Sequence, residues 1–156
     1  MAMRILLILI ICQLLAGCEI TPVKSENGLV KLLEVQKRAD EAYWKEDWDV
    51  AEQDYLYLAK SLPEDVEPRF RLGNIYARTD RLDAAASAYR EALAIDSSNS
   101  KIWHNLGIVH LRQASNTFME MLEHTDPSDP LNLRARAMLD IITRAMASRF
   151  GINATE

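Results

Sequence analysis

Glu46-Asp47-Trp48-Asp49-Val50-Ala51, with Tyr55 four positions after Ala51, returns 34 residues later as Asp80-Arg81-Leu82-Asp83-Ala84-Ala85, with Tyr89 in the same relation. At the same interval, Leu72-Gly73-Asn74-Ile75-Tyr76 is echoed by Leu106-Gly107-Ile108-Val109-His110. Self-similarity at this period marks stacked helical hairpins, because one hairpin cannot bury its apolar face without a neighbour. The fold class is therefore all-α. A helical array is a surface for holding something, so the sequence points to binding before it points to chemistry.

The middle unit is the clearest. Leu72, Ile75, Tyr76 and Thr79 share one face of a first helix, and Leu82, Ala85, Ala86, Tyr89, Ala92 and Leu93 share one face of a second. Gly73 and Ala85 are the expected point of close approach, with Tyr76 and Tyr89 filling the space on either side. Upstream, a helix begins at Leu29, with Leu29, Leu32, Leu33 and Gln36 on one side and Val35, Ala39 and Ala42 on the next. A turn falls near Lys45-Glu46-Asp47, and a helix from Trp48 to about Ser61 stops before Pro63, which has no N–H to donate. Downstream, Ala114-Ser115-Asn116 is a weak turn, so residues 100–124 form either a poor hairpin or one long helix reaching Glu123. Asp126-Pro127-Ser128-Asp129-Pro130 is a strong break, with Asp129 placed to cap and Pro130 suited to a first helical turn. A capping helix over about 130–149 follows, ending before Gly151, with Leu131, Ala135, Met138, Ile142, Ala145 and Met146 as its stripe. That stripe either covers the last apolar face of the array or serves as a partner-binding face.

These units resemble the tetratricopeptide (TPR) repeat. The copy at 32–65 carries Ala39, Ala51, Tyr55 and Pro63 where that family has small, small, aromatic and proline residues, though Leu58 stands where a small residue is usual. The copy at 66–99 carries Leu72, Gly73, Tyr76, Ala85, Tyr89 and Ala92, and departs at Ser97, where proline is usual. The third, 100–124, opens with Trp103, Leu106 and Gly107, then degenerates, with Met119 and Glu123 at the small and aromatic positions. The resemblance implies a short TPR-type helical-hairpin array of two clear repeats and a degenerate third, closed by a capping helix, in a domain spanning 29–150.

The N-terminus adds a second resemblance. Arg4 precedes the apolar run Ile5 to Ile11, too short to span a bilayer comfortably, and small residues follow it. Leu15-Ala16-Gly17-Cys18 resembles the lipobox of bacterial lipoproteins. The resemblance implies a signal peptide over 1–17, Cys18 as the acylated first residue of the mature chain, and a flexible tether over 18–28. An uncleaved signal anchor with a chance cysteine is the competing reading. One acyl chain holds only marginally, so stable attachment takes two or three. About 140 residues remain after cleavage, enough for one domain with a core. Cys12 and Cys18 are the only cysteines, so a lipidated chain keeps no thiol for a disulfide, metal or nucleophile.

The function classes narrow further. A net charge of −5 argues against a nucleic-acid partner. His104 and His110 are six apart and do not share a helix face, His124 has no partner at ligand spacing, and no phosphate loop or nucleophile elbow is present. The expectation is a protein that is not an enzyme, with no catalytic residues, metal or cofactor. The TPR resemblance instead implies a concave groove lined by the first helix of each hairpin: Gln36, Lys37, Asp40, Tyr43 and Trp44, then Phe70, Arg71, Asn74 and Arg78, then Lys101, His104, Asn105, Ile108 and Arg112. Arg71, Asn74 and Arg78 at i, i+3 and i+7 share one face, and Lys101, Asn105 and Arg112 repeat the arrangement. Such a groove favours an acidic segment or a free carboxylate, unless its charges are ordinary exposed pairs. Only Lys101 matches the carboxylate-clamp positions of chaperone-binding members, which argues against that specialisation. The whole implies a lipid-anchored adaptor in the bacterial envelope, resembling small lipoproteins of pilus and secretion assembly, that binds a peptide or helix of another envelope component. Glu19 after the cysteine favours the outer membrane, facing the periplasm. The alternative is a scaffold that gathers cell-wall hydrolases or proteases.

Overall fold

A computed structural model describes residues 23–147, which form six helices and, among the described residues, no strand. They are α1 Val23–Trp44, α2 Trp48–Ser61, α3 Val66–Arg78, α4 Leu82–Ile95, α5 Ser100–His124 and α6 Pro130–Ala147. The signal segment, Cys18 and Gly151 lie outside the described residues. Helix α1 starts at Val23 rather than Leu29, so the expected tether over 18–28 loses its second half to helix. The run Lys24-Ser25-Glu26-Asn27 contains no proline, and Gly28 alone does not stop a helix that strong formers continue on its far side. The chain divides into two compact units, one ending at Val35 and one beginning at Gln36. In the first, Leu29, Val30 and Leu33 are exposed, so the side of α1 expected to be buried through Leu29 and Leu33 is not.

Within the second unit the helix starts follow local capping chemistry. Asp47, Asp65 and Asn99 precede α2, α3 and α5, and each side chain accepts from backbone N–H groups of the first turn. Those donors have no intrahelical partner, and satisfying one contributes about 1 kcal/mol. Asp129 does the same for α6, accepting from Leu131 N at 2.8 Å.

The turns inside the two clear hairpins are copies of each other. Glu46 and Asp80 both sit in the left-handed region at φ 59°, and they are one repeat apart. The following residue then donates back across the helix end, Asp47 N to Ala42 O and Arg81 N to Tyr76 O, both at 2.9 Å. This is the six-to-one closure that ends a helix by reversing the sign of φ at one residue. One repeat further on stands Ala114, a strong helix former with no side-chain acceptor to favour a left-handed turn. There α5 does not stop. It runs unbroken from Ser100 to His124, which decides between the poor hairpin and the long helix.

The core is continuous through the middle of the unit. Leu82, Ala85, Ala86, Tyr89, Ala92 and Leu93 of α4 meet Ile102, Leu106 and Val109 of α5, with Val66, Phe70, Tyr76 and Ala77 of α3 packed against them. The close approach at Gly73 is real, and what lies nearest it is the Tyr89 ring: a methyl group built on Gly73 would overlap Cε1 and Cδ1 of that ring. In the first hairpin Ala39, Ala42, Tyr43, Ala51, Tyr55 and Leu58 are buried, so the unusual Leu58 is absorbed as core.

Helix α6 is turned from its expected orientation. Asn132, Ala135 and Ile142 are buried, whereas Leu131 and Met138, two members of the expected stripe, are half exposed and Ala145 is exposed. The cause lies at its start. Asn132 Nδ2 donates to Thr125 Oγ1 at 2.9 Å and to Asp126 O at 2.6 Å, drawing an amide inward where the apolar pattern would place Leu131.

Candidate functional site

The groove is built on α3 and α5, whose facing sides carry Asn74, Ala77 and Arg78 opposite Asn105, Ile108 and Arg112. With Tyr43, Tyr89, Val109 and Met146 these residues enclose a cavity of about 580 Å³. Phe70, Lys101 and His104 line a second hollow beside it that shares Asn105. Of the residues expected from sequence, Tyr43, Asn74, Arg78, Asn105, Ile108 and Arg112 therefore meet in one cavity, and Phe70, Lys101 and His104 in its neighbour. Lys37, Asp40, Trp44 and Arg71 line neither.

Each of those four is engaged elsewhere or points away. Lys37 forms an exposed pair with Glu41 at 3.8 Å, and Trp44 is 75 % exposed, its ring edge-on to Tyr43. Asp40 accepts the Tyr55 hydroxyl at 2.6 Å and the Gln36 amide at 3.1 Å. Burial, and then this bond to a carboxylate, push the Tyr55 phenol well above its ordinary range. Arg71 lies over the Tyr43 ring, 4.8 Å from its centroid, with Nε donating to Glu67 at 2.7 Å.

The polar centre of the cavity is a pair of amides. Asn74 Oδ1 accepts from Tyr89 Oη at 2.7 Å and from Asn105 Nδ2 at 3.0 Å. Its own Nδ2 and the Oδ1 of Asn105 make no further hydrogen bond among the described residues. One donor and one acceptor, held by a buried tyrosine, match the acceptor and donor of a single peptide group. Rigidity here comes from the hairpin: Tyr89 on α4 fixes Asn74 on α3, as Tyr55 on α2 fixes Asp40 on α1 one repeat earlier.

The expected basic lining is altered by pairing. Arg112 donates to Ala77 O at 2.6 Å and to Asp80 at 2.7 Å, and Arg78 stands 3.7 Å from Glu46. These two pairs are themselves a repeat apart: the residue that turns left-handed in one hairpin holds an arginine on the first helix of the next repeat. The arginines thus link neighbouring hairpins and are largely neutralised, while Lys101 and His104 form no ion pair among the described residues. His110, expected to pack in the manner of Tyr76, is exposed, with Nδ1 2.9 Å from Gln113 Oε1 and Nε2 3.3 Å from Arg90. No second helix folds over it, so nothing buries it.

Sequence reasoning missed the tie between Asn74 and Tyr89, although its signal was present. Asp40 and Asn74 stand 15 residues before Tyr55 and Tyr89, and both members are lost together in the third unit, as Ile108 and Glu123. It also missed Ala77 and the place of Met146, which α6 brings to the groove. Among the described residues no group of His, Cys, Asp and Glu could hold a metal ion, and no helix is long and apolar enough to cross a membrane.

A stacked array of antiparallel helical hairpins with a groove along its first helices defines a helical-repeat binding protein. A family model described as TPR repeat matches residues 73–113, so this segment, about a quarter of the chain, is similar to that repeat. The match runs from Gly73 to Gln113, so it stops one residue short of Ala114, where the repeat's next turn is missing. No curated protein matches the chain. TPR repeats generally mediate protein–protein interaction.

Proposed function

We propose that the chain is a membrane-anchored adaptor whose α3–α5 groove holds a peptide or helix of another envelope component, helping to assemble or localise a complex such as a pilus or secretion system. The observation that carries the binding part is the amide pair Asn74 and Asn105, pre-set by Tyr89 and offering one donor and one acceptor at the centre of the cavity. Ordering these groups in advance reduces the entropy lost on binding. Lys101, beside the pair, supplies a cation for an acidic partner, a narrower basic surface than the arginine rows alone suggest. The anchor rests on the sequence Leu15-Ala16-Gly17-Cys18, and the outer-membrane, periplasm-facing placement rests on Glu19.

Capture of the protein from membranes followed by mass spectrometry identifies a partner, and its affinity is then measured against variants. Asn105→Ala and Lys101→Glu should each weaken binding about tenfold, with the helical signal and melting point nearly unchanged. The effect of Lys101→Glu should shrink as salt is raised, because charges are screened within about 10 Å at 0.1 M. Full affinity in both variants moves the site off this groove. Cys18→Ser should abolish metabolic labelling with a fatty acid and release the protein from membranes. Labelling that survives the substitution removes the anchor from the proposal.

A further inference from the structure

On the opposite side of α5 from the amide pair, the array is interrupted. Gly73 on α3 is closed over by the Tyr89 ring of α4, whereas Gly107, its counterpart one repeat later, has nothing within 4 Å of where a Cβ would stand. Arg90 and Leu93 of α4 and Trp103, Leu106, Gly107 and His110 of α5 line an open, mainly apolar slot of about 530 Å³ there. This is the place a second helix of the third hairpin would occupy. The described residues do not fill it: α5 continues straight past Ala114, and α6 returns on the other face, where Met146 joins Ile108 and Arg112.

We propose that this slot receives an amphipathic helix from a partner protein, which completes the third hairpin in trans. The internal repeat specifies what fits. Against Gly73 the array sets the ring of Tyr89, which stands four residues after the buried Ala85, and the first hairpin has Ala51 and Tyr55 at the same spacing. A glycine without its ring leaves room for an aromatic side chain of the incoming helix. Charge narrows the partner further. Glu91, two residues after Tyr89, reaches back to Arg69 of α3 at 4.0 Å. In the open slot the rim carries Arg90 and His110, 3.3 Å apart, and no carboxylate lines it. The incoming helix therefore presents a small residue, an aromatic residue four positions on, and a carboxylate near the aromatic. Trp103, 55 % exposed, lies along the path and gains cover when the slot is filled. The slot is on the far face of α5 from the groove and does not depend on the groove's role.

The probe is a fluorescein-labelled, helix-stapled peptide with the sequence of Leu82–Ile95, which carries Ala85, Tyr89 and Glu91, titrated with the full chain by fluorescence anisotropy. The expected result is saturable binding, weakened at least tenfold by Gly107→Leu in the protein, by Arg90→Glu, or by Tyr89→Ala in the peptide. Asn105→Ala in the groove should leave it unchanged. Because space is open at Gly107, the Gly107→Leu protein should keep its helical spectrum and melt no lower than the parent, so loss of binding is not loss of fold. Absence of saturable binding, or binding indifferent to Gly107→Leu and to Tyr89→Ala, overturns the proposal. So does self-association of the unlabelled chain in sedimentation that Gly107→Leu abolishes, because the occupant is then a second copy.

Discussion

Gly73 and Gly107 occupy the same place in consecutive repeats and lead opposite lives. The first is buried beneath the ring of Tyr89, whose hydroxyl is bonded to Asn74; the second faces open space. The difference does not arise at the glycines. It arises seven residues later, where Asp80 takes a left-handed conformation and ends α3, while Ala114 stays helical and lets α5 run on. A single turn decision thus separates a closed hairpin from an open one, and with it a structural glycine from an exposed one. The same side chain type, at the same repeat position, is required in one unit and merely tolerated in the other.

The sharpest way to break this comparison is to put a methyl group at both sites. Gly73→Ala should lower stability by about 1–3 kcal/mol, because the buried Tyr89 ring has little room to yield. Gly107→Ala should raise it by about 0.5–1 kcal/mol, since alanine is the better helix former and meets no neighbour. Urea denaturation of both variants reads the two signs directly. Equal signs would mean that the hairpins are more alike than the helix ends suggest.

A smaller effect tests the tyrosines that close the two complete hairpins. Tyr89→Phe and Tyr55→Phe should each cost about 1 kcal/mol, the net worth of an ordinary hydrogen bond. Denaturation midpoints would show it. The Tyr89 variant should also loosen the amide pair, visible as altered NMR signals of the Asn74 and Asn105 side chains. A Tyr89 variant as stable as the parent would leave ring packing alone as the lock.

The smallest effect is the dependence on alkaline pH. Tyr55 is raised by burial and by Asp40, and Tyr76 by burial and by Glu52, so both hold their protons more tightly folded than unfolded. Their contribution is fully present below about pH 10, the ordinary phenol value, and is lost as pH rises through the higher folded values. Melting temperature should therefore fall above that pH, and less steeply in Tyr55→Phe. An identical slope in that variant would show that Tyr55 does not couple to folding.

The amino-acid sequence by itself determined the period, the helical hairpins and most of their ends, because these depend on contacts within a few residues: a cap such as Asp129, a stop such as Pro63, and faces set by spacing along one helix. It also grouped residues that line the two hollows, since a face shared by Phe70, Asn74 and Arg78 is a property of one helix. Only the tertiary structure decided what those faces meet. Arg112 reaches Asp80 and Arg78 nears Glu46 across 32 residues, which converts an expected basic strip into links between hairpins. Helix α6 turned its face to suit the two hydrogen bonds that Asn132 Nδ2 donates rather than its own apolar stripe. Whether α5 would stop was balanced locally between two readings, and the docked arrangement leaves Gly107 uncovered. Local spacing encodes which residues share a surface; the partners of that surface depend on distances that close only when the helices pack.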